Sequence, residues 1–214
     1  MFVWDIPVRL FHWTLVLLMI ALIVTGRFLD GAIEQHAVIG KAVVALVLFR
    51  IMWGVVGSTY ARFSQFIRGP RVVLSYAKSL LSNKDGFCVG HNPLGGWMVL
   101  ALLAAVLLQA TLGLFANDDI LFDGPFAYLI SKESSDYVTG LHASLFDILL
   151  ILVGLHVAAI IWHKVFKGEG LLAAMFNGYK ELPDGMHVES ASGGGVVLAV
   201  FLLVINVAII FLFV

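Results

Sequence analysis

Apolar residues gather in five long blocks, near 9–26, 36–57, 94–115, 139–163 and 195–214. At 1.5 Å of helical rise per residue, each is long enough to cross about 30 Å of hydrocarbon. The pattern predicts five transmembrane helices. The first block could be taken for a signal peptide. Its length, the His12 and Trp13 at its start and the lack of a small-x-small cleavage site after it predict a retained helix instead. Between the second and third blocks, Val72, Val73, Tyr76 and Leu80 recur at helical spacing among Arg71 and Lys78. That spacing predicts a short amphipathic helix in the interface, the alternative being a solvated loop. Residues 125–130 are apolar but too short to span, and are expected to rest on the membrane surface or to cap the bundle. Residues 178–195, with Pro183, Gly185 and three consecutive glycines from Gly193, read as a linker. The chain thus divides into a four-span core over 1–180 and, over 181–214, a linker with a fifth helix. No internal repeat is visible.

Composition agrees with this class. Of the 214 residues, 61% are hydrophobic and 13% charged, too little polar surface for a soluble domain of this size. The net charge of -1 gives no sign of a nucleic-acid partner, but the distribution of charge is informative. Arg9, Arg62, Arg68, Arg71, Lys78, Lys84, Lys164, Lys167 and Lys180 fall on the side of the N-terminus, against Arg27 and Lys132 on the other. Positive residues stay inside, so the expected topology is a cytoplasmic N-terminus and a periplasmic C-terminus in a bacterial inner membrane. The outer loops are acidic, with Asp30, Glu34, Asp118, Asp119, Asp123, Glu133 and Asp136, and would attract a basic partner. The lone Cys88 excludes an internal disulfide, a Cys-ligated cluster and covalent haem attachment through CxxCH. Metal chemistry must rest on histidine.

The fourth block carries His142, His156 and His163. Imidazole is costly in hydrocarbon, so each is a candidate functional residue. His142 and His156, fourteen positions apart, lie within about 40° of one helix face and roughly 21 Å apart along it. His12 begins the first span inside and His36 begins the second outside, so they are also separated by roughly 21 Å along the membrane normal. The levels match, pairing His36 with His142 outside and His12 with His156 inside. His163 in place of His156 would stretch the separation to about 31 Å and fit neither level. Zinc usually takes three or four ligands, often with carboxylates, and few acids lie at these depths. Two facing imidazoles are what a bis-histidine b-type haem needs, since the porphyrin supplies the other four nitrogens. The spacing therefore predicts two non-covalent b-type haems.

Other residues fall around these levels. Gly26, fourteen positions after His12, and Gly40, one turn after His36, could admit a haem edge or serve helix packing. Arg50, fourteen positions after His36, could pair with inner-haem propionates or snorkel to the interface. Arg9 is a second propionate candidate. His163 could line a quinone site or reach water at the inner face, and the latter is favoured. His91 reads as a loop or cap residue. Asp147 is expected to pair with Lys41, and Asn206 to bond to a neighbouring helix.

The segments VWDIPVRLFHW at 3–13, HAVIGKAVVALVLFRIMWG at 36–54, GHNPLGGWM at 90–98 and the GLH at 140–142 and 154–156 together resemble the prokaryotic cytochrome b561 family, which includes the cytochrome b subunit of nickel-iron hydrogenases. The resemblance covers residues 1 to about 180. It implies a four-helix di-haem core with ligands at His12, His36, His142 and His156. It further implies electron transfer between the quinone pool and an outer-face partner, either a c-type cytochrome or a redox enzyme subunit. The GHNPLGGWM form is closer to members that work with small c-type cytochromes. The fifth helix departs from the four-helix pattern, and a homodimer is compatible with it.

The expected protein is an all-α integral membrane electron-transfer protein, with its quinone site at the inner haem near Arg50 and His163. Its rivals are an anchor subunit of a membrane-bound oxidoreductase, such as a hydrogenase, and a histidine-relay ion or metal transporter. The transporter reading predicts acidic residues along the path, and only Asp147 qualifies.

Overall fold

The computed structural model describes every residue except 83–85, 121 and 184. Lys84, counted above among the inner-side cations, lies outside the described residues. The helices are α1 (Ile6–Arg27), α2 (Ile33–Val56), α3 (Phe63–Phe66), α4 (Pro70–Leu81), α5 (Pro93–Leu114), α6 (Lys132–Lys167), α7 (Leu171–Asn177) and α8 (Val196–Phe213). Five of them, α1, α2, α5, α6 and α8, are long and apolar enough to cross a membrane. Among the described residues there is no β-sheet, only isolated bridges.

Local sequence explains where the spans begin. Asp5 caps α1, its carboxylate accepting from the Val8 N–H at 2.7 Å, with Pro7 in the first turn. Asn92 caps α5 in the same way through the Gly95 N–H, just before Pro93. Such caps satisfy amides that a helix start leaves unpaired. The amphipathic segment forms α4, as its periodicity predicts. Residues 125–130 cap the C-terminal end of α5. The Phe126 N–H donates to the Leu114 carbonyl at 2.9 Å, and the Phe126 ring packs on Phe115.

The core sits on α2, which packs against α1, α5 and α8. Half of its apolar window is buried, against 6% for α6, whose main neighbour is α5. Val43, Val47 and Trp53 are fully enclosed there. Two sides of a cleft result: α1 and α2 on one side, α6 backed by α5 on the other.

The N-terminal residues and the linker are laid together at the end of the bundle where α1 begins and α2 ends. The Val3 N–H donates to Gly178, the Lys180 N–H to Met1 and the Ala191 N–H to Phe2, at 2.8–2.9 Å. The Tyr60 hydroxyl donates to the Glu189 carbonyl at 2.7 Å. The last helix lies along α2, where Asn206 Nδ2 approaches Met52 Sδ at 3.2 Å and donates to Leu202 at 2.7 Å.

The apolar block at 139–163 lies within a longer helix of 36 residues, whose polar first turn Ser131 caps. One expectation is corrected. Lys41 does not meet Asp147; its ammonium donates to the Val214 carbonyl at 2.8 Å, and Asp147 is exposed on α6. Lys41 lies on the side of α2 that faces α8, which depth along the normal alone does not reveal.

Candidate functional site

Four histidines meet across the cleft in two pairs. At the level expected to be outer, His36 of α2 and His142 of α6 have ring centres 6.2 Å apart. At the level expected to be inner, His12 of α1 and His156 of α6 are 6.5 Å apart. A metal–imidazole bond is about 2.0–2.1 Å, and a ring nitrogen lies roughly 1 Å from the ring centre, so two imidazoles sharing one ion have centres about 6 Å apart. Both separations suit one ion between the rings. Among the described residues no group of three His, Cys, Asp or Glu side chains converges. Each pair thus offers two nitrogens and leaves the equatorial positions to a cofactor's own ring.

The outer imidazoles are held on their far sides. His142 Nδ1 lies 2.9 Å from the Gln109 carbonyl. A carbonyl only accepts, so Nδ1 carries the proton and Nε2 is left bare. Gln109 Nε2 donates back to the His142 carbonyl at 2.9 Å, clasping α5 to α6. His36 Nδ1 lies 3.2 Å from Thr25 Oγ1, whose hydroxyl donates to the Ala21 carbonyl at 2.8 Å. Thr25 Oγ1 and the Leu22 carbonyl thus both stand as acceptors for His36, and with Nδ1 carrying the proton His36 Nε2 is also bare. The inner pair differs: His12 Nδ1 is buried with no hydrogen-bond partner among the described residues.

Glycines shape both sides of the rings. A Cβ at Gly26 would stand 2.9 Å from His36 Cε1, and one at Gly113 would stand 3.1 Å from His142 Cε1. Each outer imidazole thus rests against a bare backbone. A Cβ at Gly40, Gly140 or Gly154 meets nothing within 4 Å. Of these, Gly40 lies one turn from His36 on the same side of α2, where a planar group would need open backbone, whereas Gly140 and Gly154, two positions before His142 and His156, lie on the far side of α6. The donor set, the spacing and the open backbone at Gly40 fit a bis-imidazole haem.

At the inner end the predicted polar residues have found protein partners. Arg9 donates to the Phe176 carbonyl at 2.6 Å, and Trp13 stacks on the Phe176 ring. Arg50 is buried, with its guanidinium 5.0 Å from the centre of the Phe63 ring and one terminal nitrogen unpartnered. Near it, Asp5 accepts from Trp53 Nε1 at 2.9 Å. His163, expected to reach water, is buried. α6 ends in a left-handed turn at Gly168 (φ 69°) that brings Glu169 back to within 3.4 Å of His163 Nδ1. Glu169 is paired with the buried Lys180 at 2.9 Å, and Asn92 is 3.4 Å from His163 Nε2.

Sequence reasoning passed over Thr25, Gln109, Gly113 and the depth of His91. Gly113 carried a usable signal, as a glycine at the outer end of the span preceding His142. Gln109 and Thr25 carried none, because their role depends on which helix lies beside them. His91 packs between Trp4 and Phe66, with ring centres 4.7 and 4.6 Å away, and its Nδ1 is buried and unpartnered. Burial, then the nearby Arg50, His156 and Lys180, lower its pKa to about 3, so it is neutral at physiological pH. It lines a cavity of about 270 Å³ with Tyr60, Phe66, Arg68, Val89 and Pro93.

Comparison with known proteins agrees with this chemistry. The sequence profile of the prokaryotic cytochrome b561 family matches residues 3–178. The chain is 24% identical to a "Probable Ni/Fe-hydrogenase B-type cytochrome subunit" of Bradyrhizobium diazoefficiens, over 86% of this chain and 87% of the relative. A protein of the same name from Cupriavidus necator is 26% identical, over 86% and 88%. A "Probable Ni/Fe-hydrogenase 1 B-type cytochrome subunit" of Escherichia coli K12 is 22% identical, over 84% and 90%. No solved structure matches the chain.

Proposed function

We infer, since this chain belongs to the prokaryotic cytochrome b561 family, that this membrane b-type cytochrome holds two haems and carries electrons across the bilayer between quinone and a redox partner at the outer face. The observation that carries the reading is the pair of imidazole–imidazole gaps, 6.2 and 6.5 Å, at two levels of one helix bundle. His36 and His142 would ligate the outer haem, His12 and His156 the inner one. A bound haem supplies a one-electron Fe(III)/Fe(II) couple. The chain's own residues do the rest. Thr25 and Gln109 fix the outer imidazole tautomers, and Gly40 keeps backbone open beside the His36 ring. The apolar faces of α1, α2 and α6 exclude water from both levels.

The excess of Lys and Arg at the inner ends supports a cytoplasmic N-terminus and a periplasmic C-terminus in the bacterial inner membrane. The buried Arg50 and the cavity beside His91 support a quinone site at the inner level. For the outer partner we favour a redox enzyme subunit, because relatives that match most of this chain are named hydrogenase cytochrome subunits. A small c-type cytochrome is the second reading, supported by the GHNPLGGWM segment.

The test is haem quantitation with reduced-minus-oxidised spectra on His12→Ala, His36→Ala, His142→Ala and His156→Ala. Each variant is expected to lose one of two haems, the same one for His36 and His142. A wild-type protein with a single haem, or full haem content in all four variants, would overturn the assignment.

A further inference from the structure

We propose that the two histidine pairs are tuned apart by what lies behind their rings, with Thr25 a positioning residue that keeps the outer haem at the lower midpoint potential. The inference rests on the two-haem reading above.

At the outer level both ligands give their Nδ1 proton away, His36 to Thr25 Oγ1 at 3.2 Å, with the Leu22 carbonyl beside it, and His142 to the Gln109 carbonyl at 2.9 Å. Thr25 is a good acceptor because its own hydrogen is committed to the Ala21 carbonyl at 2.8 Å. A ligand imidazole that donates its second N–H becomes a stronger base. A stronger base stabilises the ferric ion over the ferrous, which lowers the potential.

The inner level has the opposite surroundings. His12 Nδ1 is buried and donates to nothing among the described residues. The outer haem, with its more basic ligands, is then the lower-potential centre, and electrons would settle toward the inner level.

The experiment is a spectroscopic redox titration of the purified holoprotein, with haem content measured on the same sample. Two resolved b-type transitions are expected. Thr25→Val, which keeps the shape but removes the Oγ1 acceptor and leaves only the Leu22 carbonyl, should raise the lower potential and leave the higher one in place. Thr25→Ser should restore it. His12→Ala, retaining only the outer haem, assigns the lower transition to that level, and adding Thr25→Val to it should again raise the potential. If Thr25→Val loses a haem, Thr25→Ala in the same titration replaces it. Two haems whose potentials ignore Thr25 substitutions, or a shift confined to the higher potential, would overturn the tuning. A wild-type protein with one haem would overturn the two-haem reading and this inference with it.

Discussion

The outer and inner histidine pairs have nearly the same ring separation and opposite support. Outside, each imidazole rests on a bare glycine, Gly26 or Gly113, and each Nδ1 has an acceptor from a neighbouring helix or turn. Inside, His12 has no such acceptor, and the polar groups nearby are spent on one another: Asp5 with Trp53, Glu169 with Lys180, Arg9 with the Phe176 carbonyl. Ligand distance is therefore a property of helix spacing. What a level does with its ligands depends on the groups behind them. The outer pair is held by short-range contacts between spans, the inner one by a mesh of loops, linker and N-terminus that reaches the aqueous surface.

The largest effect that could break this comparison is ligand removal. His142→Ala and His156→Ala are each expected to cost one haem, leaving spectra that differ from each other in band position and potential. Identical residual spectra would mean the levels are equivalent. Next come the glycines. Gly113→Leu should drive His142 aside and lose the outer haem alone, as read by haem content. A Cβ at Gly40 meets no protein atom within 4 Å, so in Gly40→Leu helix content by circular dichroism should be unchanged while outer-haem occupancy falls. Unchanged occupancy would assign Gly40 to plain surface.

Smaller effects concern the inner mesh. Trp53→Phe removes a buried donor to a carboxylate and should cost about 1.5–3 kcal/mol, measured by denaturation in detergent, with the outer haem's potential unmoved. The smallest is a pH effect. His91 has a folded pKa of about 3 against 6.5 for the free residue, so the unfolded chain binds the extra proton between these values. The stability it contributes is present above about pH 6.5 and declines as pH falls toward 3. Melting temperatures recorded from pH 7 to pH 4 should fall less steeply in His91→Phe than in the wild type.

Much of this was legible along the chain. The five spans follow from apolar block length, and α4 follows from Val72, Val73, Tyr76 and Leu80, because helix periodicity is a local property. The two histidine levels are also local, since rise per residue converts fourteen positions into depth. Lys41 and Asp147 mark where that reasoning stops. Depth placed them together, but rotation about the helix axes turned Lys41 toward α8 and left Asp147 exposed. His163 was misplaced for a related reason: the turn at Gly168 folds Glu169 back and covers a residue that the apolar pattern had left at the interface.

Sequence by itself determined the membrane class, the number of spans and the spacing along the helices of the four paired histidines, because hydropathy and helical rise need no knowledge of neighbours. Only the tertiary structure decided which side chains stand behind the rings. Thr25 and His36 lie on different helices, as do Gln109 and His142, and their hydrogen bonds exist only once α1 packs on α2 and α5 on α6. Packing rotates each helix to bury its own best face, and that rotation is set by all of its neighbours at once.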